Sequence, residues 1–392
     1  MTAATELFPD IGVVDADTHW SEPDDLWTSR APASIRDRVP QIREIGGKRR
    51  WVVDEDIVLG PAHATSAIAE DGSKVVGLDF LGLTNADVHR ACGNVPERLE
   101  LMDTLGIKAA TLYPNVAGFG SQNFLKVGDE ALRMACVEIY NDAMAEVQES
   151  SGGRLLPMAM VPHWDPAAVP DEVQRIHDLG LRGIVTVSNP HDTGGPNYGD
   201  ASWEPQWEIC ESLEMPINFH IGASAGDLDW FGRTPWTTWP GEVRLTIGGA
   251  SLFMGNARWM SNLLFTDVFE RHPGLSIVSV ESGVGWLPFF LESLDYQAGE
   301  TAPEHLRHMS MKPSEYFRQN FYGTFWFESA SVGAAVDYLG ADRVMFETDF
   351  PHPTCLYPQS VERIAETLKD LDEDVTRKIV SENAMKLYKI DV

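Results

Sequence analysis

Two residues near the start of the chain, Asp17 and His19, have the types and the spacing to bind a metal ion. They follow the apolar pair Val13 and Val14 in a short run that is typical of a β-strand. Side chains two residues apart in a strand project from the same face, so the carboxylate and the imidazole point the same way. Such a pair at a strand end is half of a divalent-metal site. The same pattern also describes a polar strand end that meets solvent.

More polar side chains follow apolar runs later in the chain, where those predicted strands end. They are His220, Glu281, Asp349 and His352. With the pair in the first strand, His220 and Asp349 complete a set of two carboxylates and two imidazoles, which suits Zn²⁺ or Mn²⁺. We therefore predict one divalent ion, with zinc as the first choice and manganese as the alternative. The predicted metal ligands are Asp17, His19, His220 and Asp349.

We predict that three residues near the metal are catalytic: Asp349, Glu281 and His352. A divalent ion lowers the pKa of bound water toward about 7, or it polarises a substrate oxygen directly. Asp349 is predicted to be a ligand that also transfers a proton, with His352 close to it in sequence. The role of Glu281 stays open between a base, a further ligand and a partner that orients a histidine.

An aromatic segment after the fifth predicted strand supplies candidate substrate contacts. Arg233 and Arg258 are predicted to bind a substrate carboxylate through two hydrogen bonds. Trp230 and Trp236 are predicted to line an aromatic substrate. Surface ion pairs for the arginines, and an oligomer contact or lid for the tryptophans, are the alternatives.

The spacing of apolar runs predicts the fold. Apolar strand-like runs alternate with helical patterns, giving eight βα units that are apolar on both strand faces. This pattern predicts an α/β chain folded as a (β/α)₈ TIM barrel, in one domain covering residues 1–392. Residues from about 30 to 95 break the rhythm and are predicted to form an insertion or cap between the first two barrel strands, with a hairpin near 49–60. An aromatic loop is predicted at about 223–250, a helical region at about 252–271 and a terminal helix at 374–387.

The overall composition excludes several classes of function. Lys and Arg number 30 against 59 Asp and Glu, which gives a formal net charge of −29. Such a surface repels phosphate backbones and anionic lipids, so we expect neither nucleic-acid nor membrane binding. The four cysteines are scattered, and neither a signal peptide nor a membrane span is apparent. We therefore expect a cytoplasmic protein.

Four sequence stretches carry a resemblance to a known family. They are VVDADTHWSEP from residue 13, MPINFHIG from 215, RHPGLSIVSVESGVGWLPFFLESLD from 271, and RVMFETDFPHP from 343 followed by SENAMKLY. Through them the chain resembles the amidohydrolase superfamily, and specifically the amidohydrolase-2 branch that contains aminocarboxymuconate-semialdehyde decarboxylase. The resemblance implies that Asp17, His19, His220 and Asp349 are the metal ligands. Glu281 departs from the family pattern, because that position is often a catalytic histidine.

The resemblance implies a metal-dependent enzyme, and we expect a non-oxidative decarboxylase of an aromatic or enolic carboxylic acid. In that reaction Asp349 donates a proton to carbon. The first alternative is a hydrolase of an amide, lactone or carbon–carbon bond that uses metal-activated water. The second is a barrel that binds a ligand without catalysis. Because barrels of this branch are often dimers, a homodimer that binds a small-molecule substrate is expected.

Overall fold

The strands of the parallel sheets are buried along their length and alternate with helices. The computed structural model describes residues 4–224 and 238–391. The strands are β1 (Val13–His19), β2 (Gln41–Ile45), β3 (Lys48–Val53), β4 (Ile57–Pro61), β5 (Ile107–Tyr113), β6 (Leu155–Pro157), β7 (Ala159–Met160), β8 (Ile184–Val185), β9 (Ile217–His220), β10 (Ile277–Val280), β11 (Phe321–Phe325) and β12 (Val344–Phe346). Burial on both faces is what a parallel sheet covered by helices requires.

Most of the helices lie between successive parallel strands, while α1 precedes the first strand and the last three follow β12. They are α1 (Ala4–Leu7), α2 (Val95–Leu105), α3 (Glu130–Ser150), α4 (Val169–Asp178), α5 (Glu204–Ser212), α6 (Gly241–Leu252), α7 (Asn256–Leu264), α8 (Val268–Arg271), α9 (Leu287–Thr301), α10 (Pro313–Asn320), α11 (Val332–Leu339), α12 (Ser360–Leu368), α13 (Glu373–Arg377) and α14 (Asn383–Leu387). In α2, Pro96 occupies the first turn and Gly106 ends the helix with φ 74°, as expected for proline and glycine at helix ends.

The parallel strands pair in chain order. One sheet has the order β1-β5-β6 and the other β12-β11-β10-β9-β8-β7. Only Met158 separates β6 from β7, and its backbone N–H donates to the carbonyl of Leu112 in β5. At the other end, Thr18 of β1 forms a parallel bridge with Phe350, which follows β12. The first strand therefore contacts both β5 and the segment after the last strand.

A separate antiparallel sheet, in the order β2-β3-β4, lies between β1 and α2. Its β3 and β4 are the predicted hairpin, and β2 adds a third strand. The residues that follow this sheet pack beside the end of the last strand, where Ala67 donates its N–H to the carbonyl of Pro351. This part of the chain therefore covers the segment that carries Asp349 and His352.

One predicted boundary was wrong, and two predicted helical segments show breaks in their regular α-helix. Helix α6 begins at Gly241, inside the predicted aromatic loop, because two adjacent glycines in the helix weakened its sequence pattern. The predicted helical region over 252–271 contains α7 and α8, which residues 265–267 separate. The terminal helix contains one turn of π-helix, Lys378–Glu382, between α13 and α14. In the described ranges, no helix combines the length and apolar character that crossing a bilayer requires.

Candidate metal centre

The ends of the first and last strands are joined by backbone hydrogen bonds. The N–H of Asp349 donates to the carbonyl of Asp17 at 3.0 Å, and the N–H of His19 donates to the carbonyl of Phe350 at 2.7 Å. These bonds bring together residues that lie more than 300 positions apart in sequence. The side chains of Asp17, His19 and Asp349 consequently meet in the buried interior.

Two histidines face each other at the centre of this cluster. His19 Nε2 and His220 Nε2 are 3.1 Å apart. Asp17 lies beside both, with its two carboxylate oxygens 3.6 Å from His19 Nε2 and from His220 Nε2. Ligand atoms bound to one ion at about 2.1 Å lie about 3.0 to 3.5 Å apart, so these separations are close to those of a common coordination sphere.

Glu281 and Asp349 complete the set of candidate ligands. Glu281 Oε2 is 3.3 Å from His220 Nε2, and Asp349 Oδ1 is 3.6 Å from His19 Nε2. Two groups of four residues have ligand atoms within 4.8 Å of one another: Asp17, His19, His220 and Glu281, and His19, Glu281, Asp349 and His352. Each residue predicted to bind metal therefore belongs to at least one group. His19 and Glu281 belong to both.

The ring of His220 is oriented by the protein backbone. Its Nδ1 lies 2.8 Å from the carbonyl oxygen of Ile221. Since a carbonyl oxygen only accepts, Nδ1 carries the proton and donates it, which leaves the Nε2 lone pair facing the cluster. Burial lowers the pKa of His220 to about 4, and that of His19 is also lowered by burial and then by His352 and His220. Both imidazoles are thus neutral, as metal ligands must be.

His352 lies over His19 and against Asp349. The His19 and His352 rings are stacked with centroids 3.6 Å apart, and His352 Nδ1 is 2.9 Å from Asp349 Oδ1. On the other side of the ring, His352 Nε2 is 2.8 Å from Asn115 Oδ1. Because the Asn115 amide nitrogen donates to the carbonyl of Trp20, its oxygen accepts a proton from Nε2 of His352. His352 Nδ1 therefore faces the Asp349 carboxylate.

Two acidic residues of the cluster adopt backbone conformations that are uncommon outside glycine. Glu281 has φ 54° and Asp349 has φ 60°. The N–H of Glu281 is held by Thr324 Oγ1 and by Glu347 Oε2, at 3.1 and 3.3 Å. Left-handed backbone in a non-glycine residue is enriched at functional sites, where the surrounding structure offsets its energy.

The carboxylates of the cluster repel one another in the absence of a cation. Burial, and then Asp349 and other nearby acids, raises the pKa of Asp17 and of Glu281 well above the usual carboxyl range. Glu347, two residues before Asp349, is also buried, and its pKa is raised by burial and then by Asp17. Both oxygens of Asp17 are buried without a hydrogen-bond partner in the part of the chain that the structure describes. A divalent cation would satisfy these oxygens and neutralise the acids, so the residues fit a metal ion.

A buried arginine, Arg98, donates hydrogen bonds to the end of β1. Arg98 Nη2 donates to the carbonyl of His19 at 2.7 Å, and Nη1 donates to Thr18 Oγ1 at 3.3 Å. Its guanidinium also lies 4.6 Å from the centre of the Phe350 ring. These contacts fix the backbone at His19 and the ring of Phe350, which follows Asp349.

The predicted substrate contacts have different outcomes. Arg258 donates from both terminal nitrogens to the two oxygens of Asp192, each at 2.6 Å, and Ser224 donates to the same carboxylate. The guanidinium is thus engaged with an acid of the protein, and its binding of a substrate stays a prediction. Trp230, Arg233 and Trp236 lie outside the described residues.

Sequence reasoning missed three residues that border the cluster. They are Asn115, Phe119 and Thr354. Thr354 donates a hydrogen bond to the Asp349 carboxylate. Asn115 and Phe119 follow β5, whose apolar end offered no charged residue as a marker.

A family model described as Amidohydrolase matches residues 14–390. The gamma-resorcylate decarboxylase of Rhizobium radiobacter is 27% identical over 313 residues, which are 77% of this chain and 89% of that protein.

Solved structures resemble the whole fold. An amidohydrolase from Mycobacterium avium subsp. paratuberculosis K-10 has a TM-score of 0.75 and 23% identity, covering 97% of this chain and 99% of that one. A dihydroxybenzoic acid decarboxylase from Polaromonas sp. JS666, with bound manganese and the inhibitor 2-nitroresorcinol, has a TM-score of 0.65 and 20% identity, covering 97% of each chain. The family predicted from sequence motifs is confirmed: this chain belongs to the amidohydrolase family, in its amidohydrolase-2 branch.

Proposed function

We propose that the protein is a metal-dependent, non-oxidative decarboxylase of an aromatic or enolic carboxylic acid. The observation that carries this proposal is the buried cluster of His19 and His220 with unpartnered carboxylate oxygens at the ends of parallel strands. The names of the curated relatives and of the Polaromonas neighbour support the reaction. The fold that positions the site is proposed to be a closed (β/α)₈ barrel, in one domain with residues of about 30–95 as a cap.

The proposed metal ligands are the four predicted from the sequence, Asp17, His19, His220 and Asp349. Glu281 is a further candidate. A set this rich in carboxylates suits Mn²⁺ as well as Zn²⁺. The manganese in the Polaromonas structure now favours manganese over the zinc that the sequence had suggested. When bound, the ion supplies positive charge that orients the substrate carboxylate and withdraws electrons from an adjacent oxygen.

The residues of the chain supply and hold the proton. Loss of carbon dioxide leaves the bonding electron pair on the substrate carbon, and this carbon then takes one proton. Asp349, whose Oδ1 lies 2.9 Å from His352 Nδ1, is the nearest candidate donor of that proton. Asn115 accepts from the other ring nitrogen of His352, so Nδ1 faces Asp349. Asp349 therefore delivers the proton and His352 restores it.

A hydrolase is the second candidate function, and Glu281 is the observation that favours it. This buried carboxylate lies 3.3 Å from His220 Nε2 and replaces the histidine often found at that position. Together with Asp349 it would provide the two groups that activate water and protonate a leaving atom. We further propose a cytoplasmic homodimer that acts on a small molecule.

The test combines metal analysis with product analysis. Purified protein is loaded with Mn²⁺ or Zn²⁺ and assayed for carbon dioxide release from a panel of aromatic and dienoic acids, and for hydrolysis of lactones and amides. We expect one ion per chain and released carbon dioxide. Asp349→Asn should lower kcat at least about 100-fold, while the exposed control Asp342→Asn should leave it unchanged.

Three results would contradict the proposal in different ways. Hydrolysis without carbon dioxide release supports the second candidate. Less than one ion per chain after reconstitution supports a barrel that binds a ligand without catalysis. An Asp349→Asn variant with the wild-type rate refutes the assigned proton transfer.

A further inference from the structure

One aromatic side chain, Phe119, borders the metal cluster without belonging to it. The centre of its ring lies 4.2 Å from that of His220, 5.3 Å from that of His19 and 5.8 Å from that of His352. These imidazoles are buried, whereas Phe119 remains partly exposed. Phe119 therefore presents an accessible apolar ring next to the candidate ligands.

The backbone around Phe119 fixes the position of its ring. Gly118 has φ 83°, a conformation that a larger residue adopts only with strain. On the other side, a Cβ atom at Gly120 would lie 2.6 Å from the carbonyl oxygen of Thr186. The chain thus approaches β8 more closely than any residue except glycine allows, and this approach brings Phe119 to the cluster.

Side-chain hydrogen bonds fasten the same loop to two other strand ends. Gln122 Oε1 accepts from the N–H of Gly120, and Gln122 Nε2 donates to the carbonyl of Gly222, both at 2.9 Å. Ser121 Oγ donates to the carbonyl of Val161 at 3.3 Å. Gly222 lies two residues after His220, so the hydrogen bond from Gln122 links the loop that carries Phe119 to the segment that carries His220.

We propose that Phe119 is a specificity-determining residue, whose ring packs against the planar ring of an aromatic substrate held at the metal cluster. This inference rests on the proposed function and adds a selection for planar aromatic acids over non-aromatic ones. Phe119 has no polar atom, so it selects for ring shape and electron distribution and not for a hydroxyl pattern. Aromatic pairs in offset or edge-to-face contact gain affinity beyond their buried area, which corresponds to about a two- to tenfold effect.

The test measures binding as well as turnover. Calorimetry follows the binding of 2-nitroresorcinol to the manganese-loaded protein, and steady-state kinetics compares an aromatic acid with a dienoic acid. Phe119→Leu keeps an apolar side chain and should bind 2-nitroresorcinol about two- to tenfold more weakly, raising KM for the aromatic acid more than for the dienoic acid. Phe119→Tyr should restore binding to within about twofold. Phe289→Leu, an exposed phenylalanine on α9, is the control.

The outcomes separate this inference from the proposed function. Weaker binding of 2-nitroresorcinol to Phe119→Leu, at a metal content equal to that of the wild type, supports the inference. If in addition no acid releases carbon dioxide, the proposed function is refuted but the inference about Phe119 is not. Unchanged binding in Phe119→Leu overturns the inference. Absence of 2-nitroresorcinol binding to the wild-type protein overturns it too, even if a dienoic acid is decarboxylated.

Discussion

Removing the metal should lower the melting temperature of the protein, and restoring it should raise the temperature again. The reason is the pair of Asp17 oxygens that are buried without a hydrogen-bond partner beside other acids. An ion that binds only the folded state stabilises it by about 2.7 kcal/mol at one hundred times its Kd. For 392 residues the unfolding entropy is about 0.8 kcal/mol per kelvin. The expected shift is therefore about 3 °C.

The size of this shift should depend on pH in a definite direction. The pKa values of Asp17 and Glu281 are raised in the folded apoprotein, so the fold binds protons that the unfolded chain has released. The apoprotein accordingly loses stability as pH rises above the unfolded carboxyl pKa of about 4. His19 and His220 have lowered pKa values, so they are neutral in both states above about pH 6.5 and add nothing there. The manganese-induced shift should thus be larger at pH 8 than at pH 6.5.

Differential scanning fluorimetry provides the measurement, with chelator or with one fixed Mn²⁺ concentration in every sample, set at about one hundred times the wild-type Kd at pH 6.5. Asp17→Asn should lose most of the shift, because a neutral amide replaces one ligand carboxylate. The exposed Asp342→Asn should keep it. A shift of the same size in wild type and Asp17→Asn, or one that grows as pH falls, would refute the reasoning.

Two further predictions concern Asn115, which is partly buried, and His163, which is buried. Asn115→Ala should lower kcat about 10- to 100-fold without loss of metal, because His352 loses the acceptor for its Nε2 proton. Asn123→Ala in the same loop is the control. An unchanged kcat for Asn115→Ala would contradict the role of Asn115 in orienting His352. Burial, and then Arg133, lowers the pKa of His163 to about 3, so stability should fall as pH drops below about 6.5. His163→Asn should reduce this loss by about 1 kcal/mol between pH 6 and pH 5 in urea unfolding, and a slope equal to wild type would contradict the prediction.

The rule that active-site groups stand at the carboxyl ends of parallel strands was enough to find the cluster. It selected His19, His220 and Asp349 from a chain of alternating apolar runs, because each is a charged or imidazole side chain directly after such a run. Their convergence depends on strand order, which the alternation of strands and helices largely determines. In the structure His19 has His220 among its neighbours in one group of candidate ligands and Asp349 in the other.

The loop after β5 could not be predicted by the same rule. Asn115 and Phe119 carry no charge, and their positions depend on a close backbone approach to β8 and on hydrogen bonds from Gln122. Such contacts form between segments far apart in sequence, so no local pattern encodes them. Helix α6 was missed for a different reason, because its buried residues are few and its two glycines lower helix propensity.

The conformation of Glu281 links the fold to the chemistry most directly. Left-handed backbone at a non-glycine residue costs about 1 to 3 kcal/mol, and here neighbouring groups maintain it. Glu328 accepts hydrogen bonds from the N–H groups of Val284 and Gly285, at distances of 2.6 to 3.1 Å. Gly283 has φ 71°, a left-handed conformation that favours glycine at this point of the loop. The loop therefore holds an acid with left-handed backbone beside His220, and places its carboxylate among the candidate ligands.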